Sequence, residues 1–124
     1  MKIRFGPAGL GPARTAIEFL EAYNKLGLRA CEIAFTYGVY IKKEECEAIR
    51  KKAEELDISL SIHASYYVNL NSAETAKIEA TKKRILDCCR IGELLGAKRV
   101  VFHPGFYGHS REKAFGNIRE GVLD

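Results

Sequence analysis

An α/β fold of four successive strand–helix units is predicted for this chain on two observations. Short apolar runs recur four times, each followed by a loop and then by a segment whose apolar residues keep helical spacing. The connections between successive runs are long enough for parallel crossovers, so the strands are expected to be parallel with their helices on the outer face.

The first unit opens with a strand at Ile3-Arg4-Phe5. The stretch Gly6-Pro7-Ala8-Gly9-Leu10-Gly11-Pro12 then excludes regular structure, because three glycines and two prolines punctuate it. Thr15 is placed at the start of a helix whose stripe is Ile17, Leu20, Tyr23 and Leu26, with Gly27 at the C-cap position. In the second unit the strand is Ala30 to Phe35, the loop holds Tyr37 and Tyr40, and the helix runs from Lys43 to Leu56. Its inner stripe is Cys46, Ile49, Ala53 and Leu56.

The third strand is expected at Ile58 to Ile62. Ser72 is the predicted cap of a long helix from Ala73 to Leu95, whose stripe takes in Ile78, Ile85, Cys88 or Cys89, Ile91, Leu94 and Leu95. The fourth strand, Arg99 to Phe102, enters His103-Pro104-Gly105-Phe106-Tyr107-Gly108, and Ser110 caps a last helix to Val122. Four such units make half of a (β/α)8 barrel, so residues 1–124 are read as a single half-barrel domain, a fragment of a longer barrel. Its two sheet edges are expected to be open, which predicts a homodimer or larger assembly.

Composition bounds the chemistry. With 47% hydrophobic and 29% charged residues the chain can bury a core while staying soluble. No apolar run nears the roughly 20 residues that span a bilayer, and the start has no signal-peptide core, so a cytoplasmic protein is expected. Four cysteines without a C-x-x-C spacing read as reduced, small core residues. A net charge of +4 permits an anionic partner without requiring one.

The candidate site follows from strand parity. Ile58, Leu60 and Ile62 share one face, and Ser59, Ser61 and His63 the other; Val100 and Phe102 likewise oppose Arg99, Val101 and His103. If the apolar face meets the helices, both histidines point away from them at the carboxyl ends of parallel strands, where α/β folds bind ligands. Two imidazoles at equivalent points of adjacent strands suit a shared metal or anion, with satisfied structural histidines as the plain alternative. His109 is a further, weaker candidate, read as a solvated loop residue. By the same parity Arg4 and Glu32 face inward one strand apart, and a structural ion pair between them is expected. Tyr66 and Tyr67 after His63, with Tyr37, Tyr40, Phe106 and Tyr107, collect aromatic rings at one end of the sheet. Such rings stack on nucleic-acid bases or anchor loops.

Two of these stretches, His63-Ala64-Ser65-Tyr66-Tyr67-Val68-Asn69-Leu70 and Phe102-His103-Pro104-Gly105, resemble the amino-terminal signatures of the endonuclease IV family of apurinic/apyrimidinic endonucleases, which are xylose-isomerase-like TIM barrels. The opening Ile3 to Gly9 is similar to archaeal-type members. The resemblance implies a DNA-repair phosphodiesterase that uses zinc to cut 5′ to an abasic site. It maps zinc ligands onto His63 and His103 and DNA contacts onto Tyr66 and Tyr67. It also implies that the other zinc ligands come from later strands of such a barrel, so that the site is incomplete within these residues. A sugar isomerase or epimerase of the same superfamily, using a divalent metal, and a non-catalytic half-barrel module are the alternatives.

Overall fold

The structure, a computed structural model, describes residues 3–124. Strands β1 (Ala30–Ala34), β2 (Ser59–His63) and β3 (Val100–Val101) form one parallel sheet in that spatial order. Helices α1 (Ala16–Lys25), α2 (Lys43–Glu55), α3 (Thr75–Leu94) and α4 (Arg111–Leu123) alternate with the strands, α1 preceding β1. This is the half-barrel arrangement of four βα units, with a first unit that departs from expectation.

That first unit is not a strand at Ile3 to Phe5. The pairing comes from the loop that follows: Arg29 N and Ala30 N donate to Phe5 O, Glu32 N donates to Pro7 O at 3.0 Å, and Gly9 N donates to Glu32 O at 2.7 Å. Ala8 therefore lies beside Glu32 in a parallel bridge. Gly6 permits the approach, since a Cβ there would stand 1.6 Å from Ala30 O. Pro7, inside the paired segment, has no N–H to give the ladder, which weakens this edge.

The shifted register also overturns the expected ion pair between Arg4 and Glu32. Ala8, not Arg4, is the neighbour of Glu32, and the Arg4 side chain turns to the far end of the sheet. There its Nη2 meets Asp57 Oδ1 at 2.9 Å and its Nη1 donates to Asp57 O at 2.5 Å. The Asp57 carboxylate is 75% exposed, so this pair contributes little stability.

Burial alternates along β1 and β2 as parity predicts: Cys31, Ile33, Leu60 and Ile62 are buried, and the residues between them are half-buried. The buried set packs under α1, α2 and α3 through Ala16, Leu20, Cys46, Ile49, Ala53, Cys88 and Leu95, with Phe35 and Ile41 closing the core beside them. In α1 the inner stripe is Ala16 and Leu20 with half-buried Tyr23, whereas Ile17 and Leu26 are exposed. The helix is preceded by a 3-10 turn over Ala13–Thr15, and Tyr23 is fixed by its hydroxyl donating to Gly9 O at 2.7 Å.

The ends of α3 and α4 follow different rules. Ser110 caps α4 by accepting from Lys113 N, as expected. Ser72 instead accepts from Glu74 N in the turn before α3, which begins at Thr75. Cys88 of α3 is buried but Cys89 is exposed, so the expectation of four core cysteines fails at Cys89, whose position about 100° around the helix faces solvent. No helix among the described residues is long and apolar enough to cross a membrane.

Candidate functional site

The half-buried face of the sheet ends at His63, and a second, exposed histidine, His103, lies beside it. His63 is the last residue of β2 and pairs with Val101 across the ladder, so the chain leaving β3 carries His103 past it two residues later. The two imidazole rings lie with centroids 5.2 Å apart and planes at 49°. His63 Nδ1 stands 3.1 Å from Ala64 O. A carbonyl oxygen only accepts, so Nδ1 is the donor in this contact, and the tautomer that satisfies it carries its lone pair on Nε2. His109 is exposed in the turn before α4.

Backbone bonds gather the loops around this pair. Phe35 N donates to His63 O at 2.9 Å, Ala64 N to Val101 O at 2.8 Å and Tyr66 N to Thr36 O at 2.9 Å, so the exits of all three strands are tied together. Tyr66 and Tyr67 emerge from this frame 65% and 58% exposed, their rings edge to face at 6.2 Å. Val68 and Leu70 are buried beneath them and seat the loop. Arg84 of α3 donates to Tyr67 O at 3.2 Å. Phe106 and Tyr107 are also exposed, and the Arg111 guanidinium lies 5.0 Å over the Tyr107 ring. Tyr40 has a structural role: it packs on Phe35 at 5.4 Å and donates its hydroxyl to Gly11 O.

Reading the sequence missed the residues that join the two histidine-bearing loops. Leu70 N donates to Pro104 O at 2.8 Å. Asn69 Oδ1 accepts from Asn71 N at 3.0 Å and from Phe106 N at 3.4 Å. Asn71 Nδ2 donates to Phe106 O at 2.7 Å, and its Oδ1 accepts from Asn117 of α4 at 2.8 Å. Thr81 of α3, nearly fully buried, accepts from Asn69 N. The signal available was the Asn-Leu-Asn run beside two tyrosines, facing a glycine two residues after a strand-end histidine.

The two histidines can supply two nitrogen ligands to one metal ion. Among the described residues no group of three or more His, Cys, Asp or Glu side chains is assembled to hold one. Glu32 lies lower in β1 on the same half-buried face.

The chain matches known proteins along most of its length. A family model described as xylose isomerase-like TIM barrel matches residues 20–123. An uncharacterized protein of Methanocaldococcus jannaschii is 36% identical over 121 residues, which are 95% of this chain and 43% of that protein. The crystal structure of endonuclease IV from Thermus thermophilus superposes with a TM-score of 0.77 at 27% identity, covering 98% of this chain and 45% of that one. A D-tagatose 3-epimerase-like protein superposes with a TM-score of 0.77 at 18% identity, covering 98% and 46%, a likeness that speaks to fold alone. The chain thus spans less than half the length of these relatives. With its parallel βα units, it belongs to the xylose isomerase-like TIM barrel family.

Proposed function

We propose that these residues form the amino-terminal part of the site of a zinc-dependent, endonuclease-IV-like phosphodiesterase acting on DNA at abasic sites. The observation that carries this reading is the convergence of His63 and His103, with rings 5.2 Å apart, on chain segments that run on into the exposed Tyr66, Tyr67 and Tyr107. The imidazoles fit zinc as neutral nitrogen donors, and the Nδ1 proton of His63 is already engaged by a backbone carbonyl, which leaves Nε2 for the metal. Zinc supplies Lewis acidity toward a phosphodiester.

The chain's own residues do the rest of this half of the work. His63, at the end of β2, and His103, two residues beyond β3, would hold and orient the ion. Tyr66 and Tyr67 offer ring faces and edges to bases or sugars of a distorted duplex, a use that needs their exposure. The remaining ligands would come from later strands of a complete barrel. An exposed aromatic rim suits a broad polymer better than a small sugar enclosed in a pocket, and the 27% identity to the Thermus thermophilus endonuclease IV supports the same reading.

Zinc uptake by dialysis and mass spectrometry tests the ligand assignment. His63→Ala and His103→Ala should each reduce uptake without changing the far-UV circular dichroism, and equal uptake by wild type and the double variant would refute it. Binding to a duplex with one abasic site should weaken in Tyr66→Ala and Tyr67→Ala. Unchanged affinity in both would remove the DNA reading.

A further inference from the structure

We infer that Asn69 and Asn71 are positioning residues that set the distance between His63 and His103 by clasping together the loops that carry them. This inference rests on the metal reading above. The asparagines touch neither imidazole, and they act through the backbone of the segment that follows His103.

The clasp is a closed set of hydrogen bonds whose polarity is fixed by its partners. Asn69 Oδ1 accepts from two backbone N–H groups, one on its own loop at Asn71 and one across the gap at Phe106. Backbone N–H groups only donate, so an acceptor is required at that atom. Asn71 is the reverse case. Its Nδ2 lies 2.7 Å from Phe106 O and 3.3 Å from Tyr107 O, two groups that only accept, so a donor is required there. Asn117 of α4 then donates to Asn71 Oδ1 and holds the amide in that orientation. The main chains add Leu70 N to Pro104 O, one residue beyond His103.

Three further contacts make the clasp rigid. Asn69 N donates to the buried Thr81 hydroxyl, which fastens the first loop to α3. Leu70 is buried against α4, where a Cβ on Gly121 would come within 3.1 Å of its side chain. Gly105 lies between the loops with φ +153, and a Cβ on it would stand 2.6 Å from Asn69 Oδ1. The histidines are therefore held by strand pairing below and by the asparagine clasp above.

The opposite polarities of Asn69 and Asn71 provide the test. Asn69→Asp keeps the acceptor and should behave as wild type, whereas Asn69→Ala loses it. Asn71→Asp replaces the donor by a carboxylate facing two carbonyl oxygens and should open the clasp. The first measurement is the nuclear Overhauser effect between ring protons of His63 and His103 in the metal-free protein. It should persist in wild type and Asn69→Asp and vanish in Asn69→Ala and Asn71→Asp. The second is cobalt(II) titration by visible absorption, where the opened variants should bind on the order of tenfold more weakly, as removal of outer groups that orient ligands does.

A purely structural role would lower thermal stability equally in all variants and leave the inter-ring effect intact. Retention of that effect and of cobalt affinity in Asn71→Asp, or an Asn69→Asp protein as impaired as Asn69→Ala, would overturn the inference. If Asn71→Asp does not fold, Asn117→Ala, at an exposed position of α4, frees the Asn71 amide instead and should weaken the inter-ring effect. Failure of wild type to bind cobalt would count against the metal reading, and the metal-free measurement would still decide the positioning role.

Discussion

Replacing Gly105 by alanine perturbs the loop after β3 at a point where backbone and packing agree on glycine. The native φ of +153 is a conformation that side chains rarely adopt, and holding alanine there costs about 1–3 kcal/mol. The added methyl would stand 2.6 Å from Asn69 Oδ1 and 3.3 Å from the amide nitrogens of Leu70 and Asn71, so the Asn69 side chain must move. Moving it loses hydrogen bonds that contribute about 1 kcal/mol each. Together the change should destabilise the fold by about 2–4 kcal/mol, or roughly 10 °C in Tm for a domain of this size. Thermal unfolding followed by far-UV circular dichroism measures this directly. A Tm within roughly 2 °C of wild type would show that the loop adapts at little cost and that the close packing around Gly105 is not a constraint.

Other expectations follow from the core and the edges. Ile62 is fully buried against Gly92 and Val100, so Ile62→Ala should cost about 2–5 kcal/mol in urea unfolding, and a loss under about 1 kcal/mol would contradict the packing described. Of the four cysteines only Cys89 is exposed, so a thiol reagent should label one site rapidly in the native protein and four after unfolding. Burial pushes the Cys31 thiol up to about 12 from its ordinary 9.0. Its contribution to stability is therefore complete below pH 9.0 and declines between there and about 12 as the unfolded thiol ionises first. Cys31→Ala should flatten the alkaline fall in stability over that range, and an unchanged slope would argue against the buried thiol. Finally, β3 has no neighbour on its outer side among the described residues, and Phe5 and Val101 are exposed near the two edges. Light scattering after size exclusion should show self-association above 13.9 kDa, and a monomer at all concentrations would refute pairing through these edges.

The parts of the fold that were legible in the sequence are those with periodic signals. Burial of Leu60 and Ile62 against half-buried Ser59, Ser61 and His63 follows from alternation alone. The α2 stripe of Cys46, Ile49 and Ala53 follows from helical spacing. The register of the first segment was not legible, because no periodicity says whether Arg4 or Ala8 sits beside Glu32. Close backbone approach at Gly6 and the pairing of Pro7 O and Gly9 N with Glu32 settle that in three dimensions. Exposure of Ile17, Leu26 and Cys89 was illegible for a related reason: an apolar residue does not state which way its helix is rotated.

Local sequence alone placed His63 at the end of its strand and His103 just after the next one, since the apolar runs stop there; the strand expected over Arg99 to Phe102 is shorter, Val100–Val101, so His103 stands two residues beyond it. Only the tertiary structure decided that their rings meet at 5.2 Å, because that distance depends on the ladder between β2 and β3 and on the clasp from Asn69 and Asn71 to Phe106. Those hydrogen bonds join residues 35 and 37 positions apart in the chain. No local pattern encodes the polarity of a hydrogen bond across such a gap.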